Sequence, residues 1–448
     1  MKVLTRFAPS PTGFLHVGNA RAALFCKLFA AAHGGRFLLR FDDTDAERSK
    51  PEFAEAIAED LDWLGLKPDD TAYQSARAEA YEAAFETLKK EARIYPCFET
   101  PDELERKRKR QRARGLPPVY DRAALELTDD DRRALEAEGR AAHWRFRLSG
   151  EAVAWEDGIR GTQSIDTSSV SDPVIRRADG TWLYTLPSVV DDLEFGVSHV
   201  LRGEDHVTNT AAQIEIIDAL DGAPPVFAHF SLLLDAEGGA LSKREGSSAV
   251  RDLRAEGIEP MALNALLARL GTADAVEAVG NLDALAAQFD LSRLGRAPAR
   301  FDPADVLRLN TRLIHEMDFA DAAPRLAALD APADEAFWEA VRGNLARFSD
   351  VAEWAQIIRD PVSPVIAAED SDFIAAARDC LPPAPLDETS WETWTAELKE
   401  KTGRRGKALF MPLRHALTGR EHGPEMKNLL PLIGHDKVIL RLSGRSER

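Results

Sequence analysis

The chain has 448 residues, of which 44% are hydrophobic and 29% charged, a balance typical of globular proteins with room for about three domains. Its formal net charge of −18 argues against a protein that coats nucleic acid nonspecifically, but does not exclude a local basic surface. The widely separated Cys26, Cys97 and Cys380 exclude a disulfide framework and a thiolate metal site. No apolar run reaches the ~18 residues of a membrane span, and the N-terminus does not resemble a signal peptide. We therefore expect a cytoplasmic protein with no membrane partner.

The first stretch, residues 3–21, is typical of a strand, a tight loop and the start of a helix. Its prolines exclude a helix in the loop, and a helical apolar pattern begins at Ala20. Because the first N–H groups of a helix are unpaired, such a loop favours an anion. His16 and Gly18 lie where it would meet a nucleotide phosphate. His16 alone does not distinguish this site from an ordinary connection with a surface histidine.

The next elements indicate a parallel sheet. Residues 36–41 predict a strand that ends in the acidic turn 42–45, and helical patterns follow over 50–65 and 76–93. Alternating strands and helices predict parallel strands with crossover helices, in which ligands bind at the C-terminal strand ends. Both the first loop and the acidic turn lie at such ends.

The middle of the chain differs in character. Residues 101–114 predict a densely basic helix, for which a solvated helix face is an equally good explanation. Residues 143–190 alternate short apolar runs with Asp-Gly turns and predict an inserted α+β module. Further strands are predicted near 197–201 and 230–234. We expect no strand beyond about residue 250, so the C-terminal part is predicted to be helical.

Two distant loops resemble the signature elements of one enzyme family. Residues 9–19 and 241–244 resemble the HIGH and KMSKS elements of class I aminoacyl-tRNA synthetases, and their pairing is more specific than either loop alone. Within that class, residues 6–13, 42–45 and 402–414 look like the glutamyl branch, as does the Val-Asp-Asp sequence that ends at Asp192. The resemblance covers nearly the whole chain.

This resemblance implies an ATP-dependent ligase for L-glutamate and tRNA-Glu. The glutamate α-carboxylate would attack the α-phosphate of ATP, giving glutamyl-adenylate and pyrophosphate. The 3′-terminal adenosine of the tRNA would then take the glutamyl group and release AMP, and in this family the first step characteristically requires bound tRNA. Mg²⁺ would accompany ATP, mainly through phosphates and water. A monomer is expected, and charging of tRNA-Gln stays an open alternative.

The resemblance also implies roles for individual residues. Catalysis would depend on His16, Gly18, Lys243 and Arg244. ATP would contact Pro11, Gly13, His16, Gly18, Asn19, Ser242 and Lys243. Glutamate would contact Arg6, Ala8, Ser10, Asp42, Tyr184 and Arg202. Phosphates of the tRNA would contact Arg106, Lys107, Arg108, Lys109, Arg110, Arg404 and Arg405.

The two arginines of the glutamate set have alternative roles. Planar guanidinium groups bind carboxylates through paired hydrogen bonds, so Arg6 and Arg202 are candidates for the two carboxylates of glutamate. The sequence does not decide which of them takes the side-chain carboxylate. Asp42 would bind the ammonium group. Arg6 could instead form a structural ion pair with Asp42 or Asp45.

The chain also departs from the family pattern. Asp42 stands where Glu is more frequent, Ala240 replaces the first lysine of the second signature, and Ser188 stands where relatives often carry Asn. Some relatives bind structural zinc through three cysteines and a histidine or tyrosine. The corresponding segment here offers only Cys97, followed by Phe98 and Glu99, with Tyr120 and Asp121 later, so soft ligands are too few and we predict no zinc.

The predicted fold class is α/β: a Rossmann-like parallel-sheet catalytic domain, an inserted α+β acceptor-binding domain and a helical anticodon-binding region. The predicted domains are the first catalytic half (1–93), the acceptor-stem insert (94–186), the second catalytic half (187–250), a helical stem-contact region (251–318) and an all-helical anticodon-binding domain (319–448).

Three other functions fit the sequence less well than a tRNA ligase. A tRNA-modifying glutamyl-transfer enzyme would lack the long helical region after about residue 320. A catalytically silent tRNA-binding paralogue would not need to retain His16, Lys243 and the two arginines. A small-molecule nucleotidyltransferase would not need the C-terminal half of the chain.

Overall fold

The structure is a computed structural model that describes residues 2–239, 241, 249–359 and 362–444. The chain divides into two compact units. Unit 1 comprises Met1–Glu256 and Pro260–Asp305, and unit 2 comprises Gly257–Glu259 and Val306–Arg448. Among the described residues, no helix is both long and apolar enough to cross a bilayer.

The strands belong to unit 1. In chain order they are β1 (Leu4–Phe7), β2 (Arg36–Phe41), β3 (Asp70–Tyr73), β4 (Ile94–Cys97), β5 (His143–Phe146), β6 (Ala152–Asp157), β7 (Gly161–Asp166), β8 (Val174–Arg176), β9 (His199–Gly203), β10 (Val226–Phe230), β11 (Leu233–Leu234) and β12 (Ala299–Arg300). A five-stranded parallel sheet has the order β10-β9-β1-β2-β3. This arrangement confirms the predicted α/β class.

Helices make up much of unit 1 and most of unit 2. Those of unit 1 are α1 (Val17–Ala32), α2 (Pro51–Trp63), α3 (Ala78–Lys90), α4 (Pro101–Ala113), α5 (Asp129–Ala137), α6 (Thr185–Glu194), α7 (Val207–Ala219), α8 (Val250–Ala255), α9 (Pro260–Arg269) and α10 (Leu282–Ala287). Helix α11 (Pro303–Glu316) begins at the boundary of unit 2, which continues with α12 (Phe319–Ala328), α13 (Glu335–Val341), α14 (Val351–Arg359), α15 (Ser371–Asp379), α16 (Ser390–Thr402), α17 (Lys407–Thr418), α18 (Met426–Ile433) and α19 (His435–Leu442).

Helix α1 is apolar around most of its circumference because other elements pack against most of its surface. It packs against β1 and β2 as well as against α9 and α10, and most of its residues are buried. Unit 2 has a separate core, in which Trp338 and Trp394 are fully buried. Each unit therefore buries its own apolar residues.

The middle of the chain is α+β, as predicted, but it is not all separate from the parallel sheet. Strands β4, β5 and β8 form an antiparallel sheet, and β6 and β7 form a hairpin. In that hairpin, Val153 and Trp155 pack against Val197 and Phe227 of the parallel-sheet region. At its tip the Gly158 N–H donates to the carbonyl of Phe227 at 2.8 Å. The hairpin is thereby fixed to β10.

Several element predictions were wrong in detail. Strand β3 is short and mostly exposed and shows no apolar alternation, so it was missed. The predicted strand over 230–234 is the end of β10 followed by the separate β11. A strand does occur beyond residue 250, since β12 pairs with β11 over two residues. Such short segments carry too few side chains for a period to show.

Candidate active site

A cleft of about 590 Å³ lies at the C-terminal ends of β1, β2, β9 and β10. This is the edge at which parallel α/β sheets bind ligands. The sequence-predicted residues that line it are Arg6, Ala8, Ser10, His16, Gly18, Asn19, Asp42, Tyr184 and Arg202. The structure therefore brings together most of the residues predicted for glutamate and ATP.

His16 forms the N-terminal cap of α1. Its Nδ1 accepts hydrogen bonds from the backbone N–H groups of Gly18 (3.1 Å) and Asn19 (3.3 Å). The helix therefore begins at Val17 rather than at Ala20, and the prediction that its first N–H groups are unpaired was wrong for Gly18 and Asn19. Because Nδ1 is an acceptor, the hydrogen of the neutral ring lies on Nε2.

The chain returns to His16 after the second predicted loop. Leu241 lines the cleft, Ala249 forms an isolated β-bridge with His16, and the Val250 N–H donates to the Leu15 carbonyl at 2.9 Å. The predicted residues Ser242, Lys243 and Arg244, together with Ala240, lie outside the described residues. Both described flanks of that loop nevertheless reach the same cleft.

A buried group of charges surrounds Arg40 at the end of β2. Arg40 Nε donates to Asp42 Oδ1 at 2.7 Å, and its Nη1 donates to Asp192 Oδ1 at 2.8 Å. Asp192 also accepts from Arg6 Nε at 3.1 Å. Burial acts to raise the pKa of Asp192, but Arg6 and Arg40 outweigh it and hold that pKa below its ordinary value. Burial raises the pKa of Asp42 despite Arg40.

The alternative ion pairs expected for Arg6 are therefore not the ones formed. Its carboxylate partner is Asp192 rather than Asp42 or Asp45. Asp42 pairs with Arg40, and Asp45 pairs with Arg48 at 2.9 Å. The reason is local: Arg40 lies two residues before Asp42 along the extended chain, so the two side chains point to the same face.

Arg202 is buried among neutral partners. Its Nη1 donates to the Tyr184 hydroxyl at 3.0 Å, its Nη2 donates to Thr210 Oγ1 and Gln213 Oε1 at 2.8 Å each, and its Nε donates to His229 Nε2 at 3.1 Å. Within the described ranges, no carboxylate lies within 4.0 Å of this guanidinium. Burial lowers the pKa of Arg202 below its ordinary value. This site is suited to bind an anion.

Three positions singled out in the sequence, Pro11, Gly13 and Ser188, lie away from the cleft lining. Pro11 lines a neighbouring hollow with Asp43, and its carbonyl accepts from the Lys50 N–H at 3.0 Å. Gly13 does not line either of these hollows. Ser188 is fully buried, and its Oγ accepts from Gln213 Nε2 at 2.8 Å.

The predicted tRNA-binding residues lie on surfaces outside the cleft. Of the residues predicted on α4, Arg106, Arg108, Lys109 and Arg110 are exposed. Lys107 is instead half-buried and pairs with Glu99 and Asp121. In unit 2 Arg405 is exposed, whereas Arg404 pairs with Asp370 at 2.5 Å and lies over Phe373.

Sequence reasoning missed the roles of the buried polar residues whose hydrogen bonds position the side chains of this site. Arg40 and His229 lie in apolar strands, where the period assigns them to the core and gives no role. Asp157 and Asp192 lie far from their partners in sequence. A charged residue inside an otherwise apolar strand was the available signal for Arg40.

The family description "tRNA synthetases class I (E and Q), catalytic domain" matches residues 2–307. A second description, "Anticodon binding domain", matches residues 314–444. The fold and the cleft of this chain are therefore those of the class I tRNA synthetases of the E and Q type.

Individual relatives narrow this class. The chain is 60% identical to "Glutamate--tRNA ligase 1" of Parvibaculum lavamentivorans, with 98% of each chain covered, and 57% identical to "Glutamate--tRNA ligase 2" of a Methylobacterium species over the full length of both. A crystal structure of a glutamate tRNA ligase from Elizabethkingia meningosepticum in complex with its amino acid superposes with a TM-score of 0.87 at 28% identity, covering 99% of each chain. The chain belongs to the glutamate–tRNA ligase family, whose members are aminoacyl-tRNA synthetases.

Proposed function

We propose that this chain activates L-glutamate with ATP and transfers it to the 3′-terminal adenosine of tRNA-Glu. The observation that carries the proposal is that His16 and the described flanks of the second signature loop lie together at one cleft. His16 begins α1 at this cleft, and Leu241 and Ala249 bring both flanks of the Lys243 loop to it. A cation from that loop would therefore be within reach of phosphates bound beside His16.

The glutamate end of the cleft would combine two cations with one anion. Arg202 has only neutral partners among the described residues, so a substrate carboxylate would give it a missing counterion. Arg6 already shares Asp192 with Arg40 and would add a second, partly neutralised cation. Asp42 would bind the ammonium group, with Ala8, Ser10 and the Tyr184 hydroxyl beside the substrate.

The ATP end would use positioning and charge rather than covalent chemistry. The His16 Nε2–H would donate to a phosphate, and Gly18 and Asn19 would line the nucleotide site with Ser242. Lys243, with Arg244, would stabilise the charge of the leaving pyrophosphate. Mg²⁺ would bind mainly through the ATP phosphates and water.

The donor set of the family's zinc position does not fit zinc. Cys97, Glu99 and His143 place potential ligand atoms within 4.8 Å of one another. The Tyr120 hydroxyl, however, donates to Glu99 at 2.9 Å, and the Lys107 ammonium lies 3.2 Å from the same carboxylate. Cys97 is also the one sulfur ligand of this set, whereas structural zinc sites combine several cysteines and histidines. We therefore keep the proposal that no zinc is bound, which metal analysis of the purified chain would test.

The tRNA would bind through basic groups on both units. Arg106, Arg108, Lys109 and Arg110 on α4 would contact phosphates of the acceptor end, and Arg405 would contact the anticodon arm. The ion pairs of Lys107 and Arg404 make both less available for this role. We further propose that the chain acts as a monomer in the cytoplasm, where its tRNA and ATP are found.

A charging assay tests the main proposal. The chain is incubated with ATP, glutamate and each purified tRNA, and the acid-stable charged product is measured. Charging of tRNA-Glu is expected, and its absence would contradict the proposal. The arm with tRNA-Gln decides whether the specificity is broader.

Replacing the loop lysine tests the ATP end. Lys243→Ala is expected to slow glutamyl-adenylate formation strongly, by about 10²-fold or more, because a preorganised cation at a developing charge contributes several kcal/mol. The measurement is pyrophosphate exchange in the presence of tRNA. Lys90→Ala, which removes an exposed lysine at the end of α3, is the matched control and is expected to retain full activity. Near-normal exchange by Lys243→Ala would remove that residue from the mechanism.

A further inference from the structure

A buried histidine–aspartate pair lies directly behind Arg202. His229 on β10 is fully buried, and its Nδ1 lies 2.5 Å from Asp157 Oδ2. On the other side of the ring, His229 Nε2 lies 3.1 Å from Arg202 Nε and 3.0 Å from Thr210 Oγ1. Asp157, His229 and Arg202 therefore form a continuous chain of hydrogen bonds that ends at the cleft.

The direction of these hydrogen bonds is fixed by chemistry. A guanidinium has only donors, so His229 Nε2 must accept from Arg202, and the ring hydrogen must lie on Nδ1. That hydrogen is donated to Asp157. A doubly protonated ring is disfavoured by burial and by the nearby charges of Arg202 and Arg160, which together outweigh Asp157 and lower the pKa of His229. The neutral Nδ1–H tautomer is the only form that accepts at Nε2.

Asp157 is itself held rigidly at the end of the β6–β7 hairpin. Its Oδ1 accepts from the backbone N–H groups of Ile159 (3.1 Å), Arg160 (3.0 Å) and His229 (3.1 Å). Burial acts to raise the pKa of Asp157, but these hydrogen bonds and the His229 ring lower it to about 2. The carboxylate therefore stays ionised at neutral pH and keeps its direction.

The donors of Arg202 can be accounted for one by one. A guanidinium has five N–H groups. Hydrogen bonds to His229, Tyr184, Thr210 and Gln213 occupy four of them in the described structure. The remaining hydrogen lies on Nη1, the nitrogen that contacts Tyr184 at the cleft.

We propose that Asp157 and His229 are positioning residues, which set the rotation of Arg202 so that its last N–H meets a carboxylate of glutamate. The inference rests on the proposed role of Arg202 in glutamate binding. Neither residue touches the substrate. Their contribution is to replace rotational freedom of the guanidinium with a fixed donor direction before the substrate arrives.

Asp157→Asn is the central test. Asparagine keeps the Oδ1 acceptor for the three backbone N–H groups but replaces the second oxygen with an amide NH₂. His229 Nδ1 must then accept, its hydrogen moves to Nε2, and that hydrogen faces the Arg202 N–H. In catalytic triads, the same aspartate-to-asparagine change leaves the geometry intact but gives the histidine the wrong tautomer. We expect the same effect here. The KM for glutamate is expected to rise about ten- to a hundred-fold, with the KM for ATP within about two-fold of its original value.

Two substitutions of His229 separate chemistry from packing. His229→Gln can place an amide oxygen near the position of Nε2 and is expected to restore much of the affinity for glutamate. His229→Leu supplies no acceptor and is expected to lose it. In addition, the ¹⁵N chemical shifts of the imidazole should report hydrogen on Nδ1 in the original chain and on Nε2 in Asp157→Asn.

Controls distinguish failure of this inference from failure of the proposed function. Asp172→Asn alters another fully buried carboxylate, bonded to Tyr95 and Arg122, and is expected to change stability without changing the KM for glutamate. If Arg202→Gln leaves the KM for glutamate unchanged, the assigned role of Arg202 is wrong. If Arg202→Gln raises the KM for glutamate but Asp157→Asn does not, only the positioning role is overturned. The same conclusion follows if Asp157→Asn raises the KM for glutamate and the KM for ATP alike.

Discussion

At the residue scale, the site depends on which charges are already neutralised. Arg40 forms ion pairs with the carboxylates of Asp42, Asp191 and Asp192, and Arg6 contacts the last of these. The partners of Arg202 described above are neutral. Breaking a buried pair by removing one partner leaves an unpaired charge that costs about 3–5 kcal/mol. The cluster around Arg40 therefore stabilises the fold, whereas Arg202, which has no carboxylate within 4.0 Å among the described residues, is suited to bind an anion.

A glycine at the start of α1 provides a residue-scale prediction. A Cβ at Gly18 would lie 3.0 Å from His16 Cε1 and 3.1 Å from His16 Nδ1, so the imidazole would have to move. Gly18→Ala is therefore expected to lower kcat/KM for ATP about ten-fold or more, because positioning within about 1 Å matters for a reaction of this kind. Steady-state kinetics with varied ATP would measure the effect.

The control for this change is Gly280→Ala. A Cβ there meets no atom within 4 Å, and the backbone is not in the left-handed region. Its kinetics are expected to match those of the original chain. An ATP dependence of Gly18→Ala equal to that of Gly280→Ala would show that the ring of His16 is not restricted by Gly18.

At the element scale, α4 combines a strong local signal with almost no tertiary packing. It begins with a capping box between Thr100 and Glu103 and a proline at its first position, and none of its residues is buried. Local rules therefore predicted this helix almost completely. In contrast, β3 and β12 form through pairing with neighbours, which the sequence pattern does not reveal.

The exposed cations of α4 give an element-scale prediction. Phosphate contacts release counterions, so each contact removed should reduce the salt dependence of tRNA affinity by about one unit in log–log slope. Replacing Arg106, Lys109 and Arg110 with Gln is expected to weaken tRNA-Glu binding and flatten this dependence. Filter binding or fluorescence anisotropy between about 50 and 200 mM salt would measure both.

Charge removal on another helix supplies the comparison. Lys89→Gln with Lys90→Gln neutralises two exposed cations at the end of α3. This pair is expected to leave the slope unchanged, because no tRNA contact is assigned to it. An identical slope for the α4 variant would mean that this surface does not meet phosphates.

At the scale of the whole molecule, two cores imply two responses to ligands. The proposed glutamate and ATP sites lie in unit 1, while the core around Trp338 and Trp394 belongs to unit 2. A ligand at a hundred times its Kd stabilises the folded state that binds it by about 2.7 kcal/mol. With glutamate and a non-hydrolysable ATP analogue, hydrogen exchange should therefore slow in α1 and β1 but not in α13 and α16.

The same experiment on Arg202→Gln tests the source of the protection. Loss of glutamate-dependent protection in α1 and β1 is expected for this variant, while the response to the ATP analogue is retained. Equal protection of both cores in the original chain would contradict ligand stabilisation confined to unit 1.

The sequence predicted the class of the molecule better than the interior of its site. The family motifs are local, so Arg6, His16, Asp42 and Arg202 were found and lie together. The hydrogen-bond partners of those residues depend on chain crossings such as that of Asp157 with His229. No single-sequence rule gives such pairs, because they are set by register and packing rather than by spacing.

The cap at His16 places a restriction on how mutations there can be interpreted. The ring accepts two backbone N–H groups at Nδ1 and presents its donor at Nε2, a combination that lysine and arginine lack because they have no acceptor. His16→Ala would remove a helix cap worth about 1 kcal/mol together with the donor to phosphate. His16→Asn keeps a capping oxygen but shortens the reach of the donor. Comparing the two therefore divides the loss between folding of α1 and chemistry at ATP.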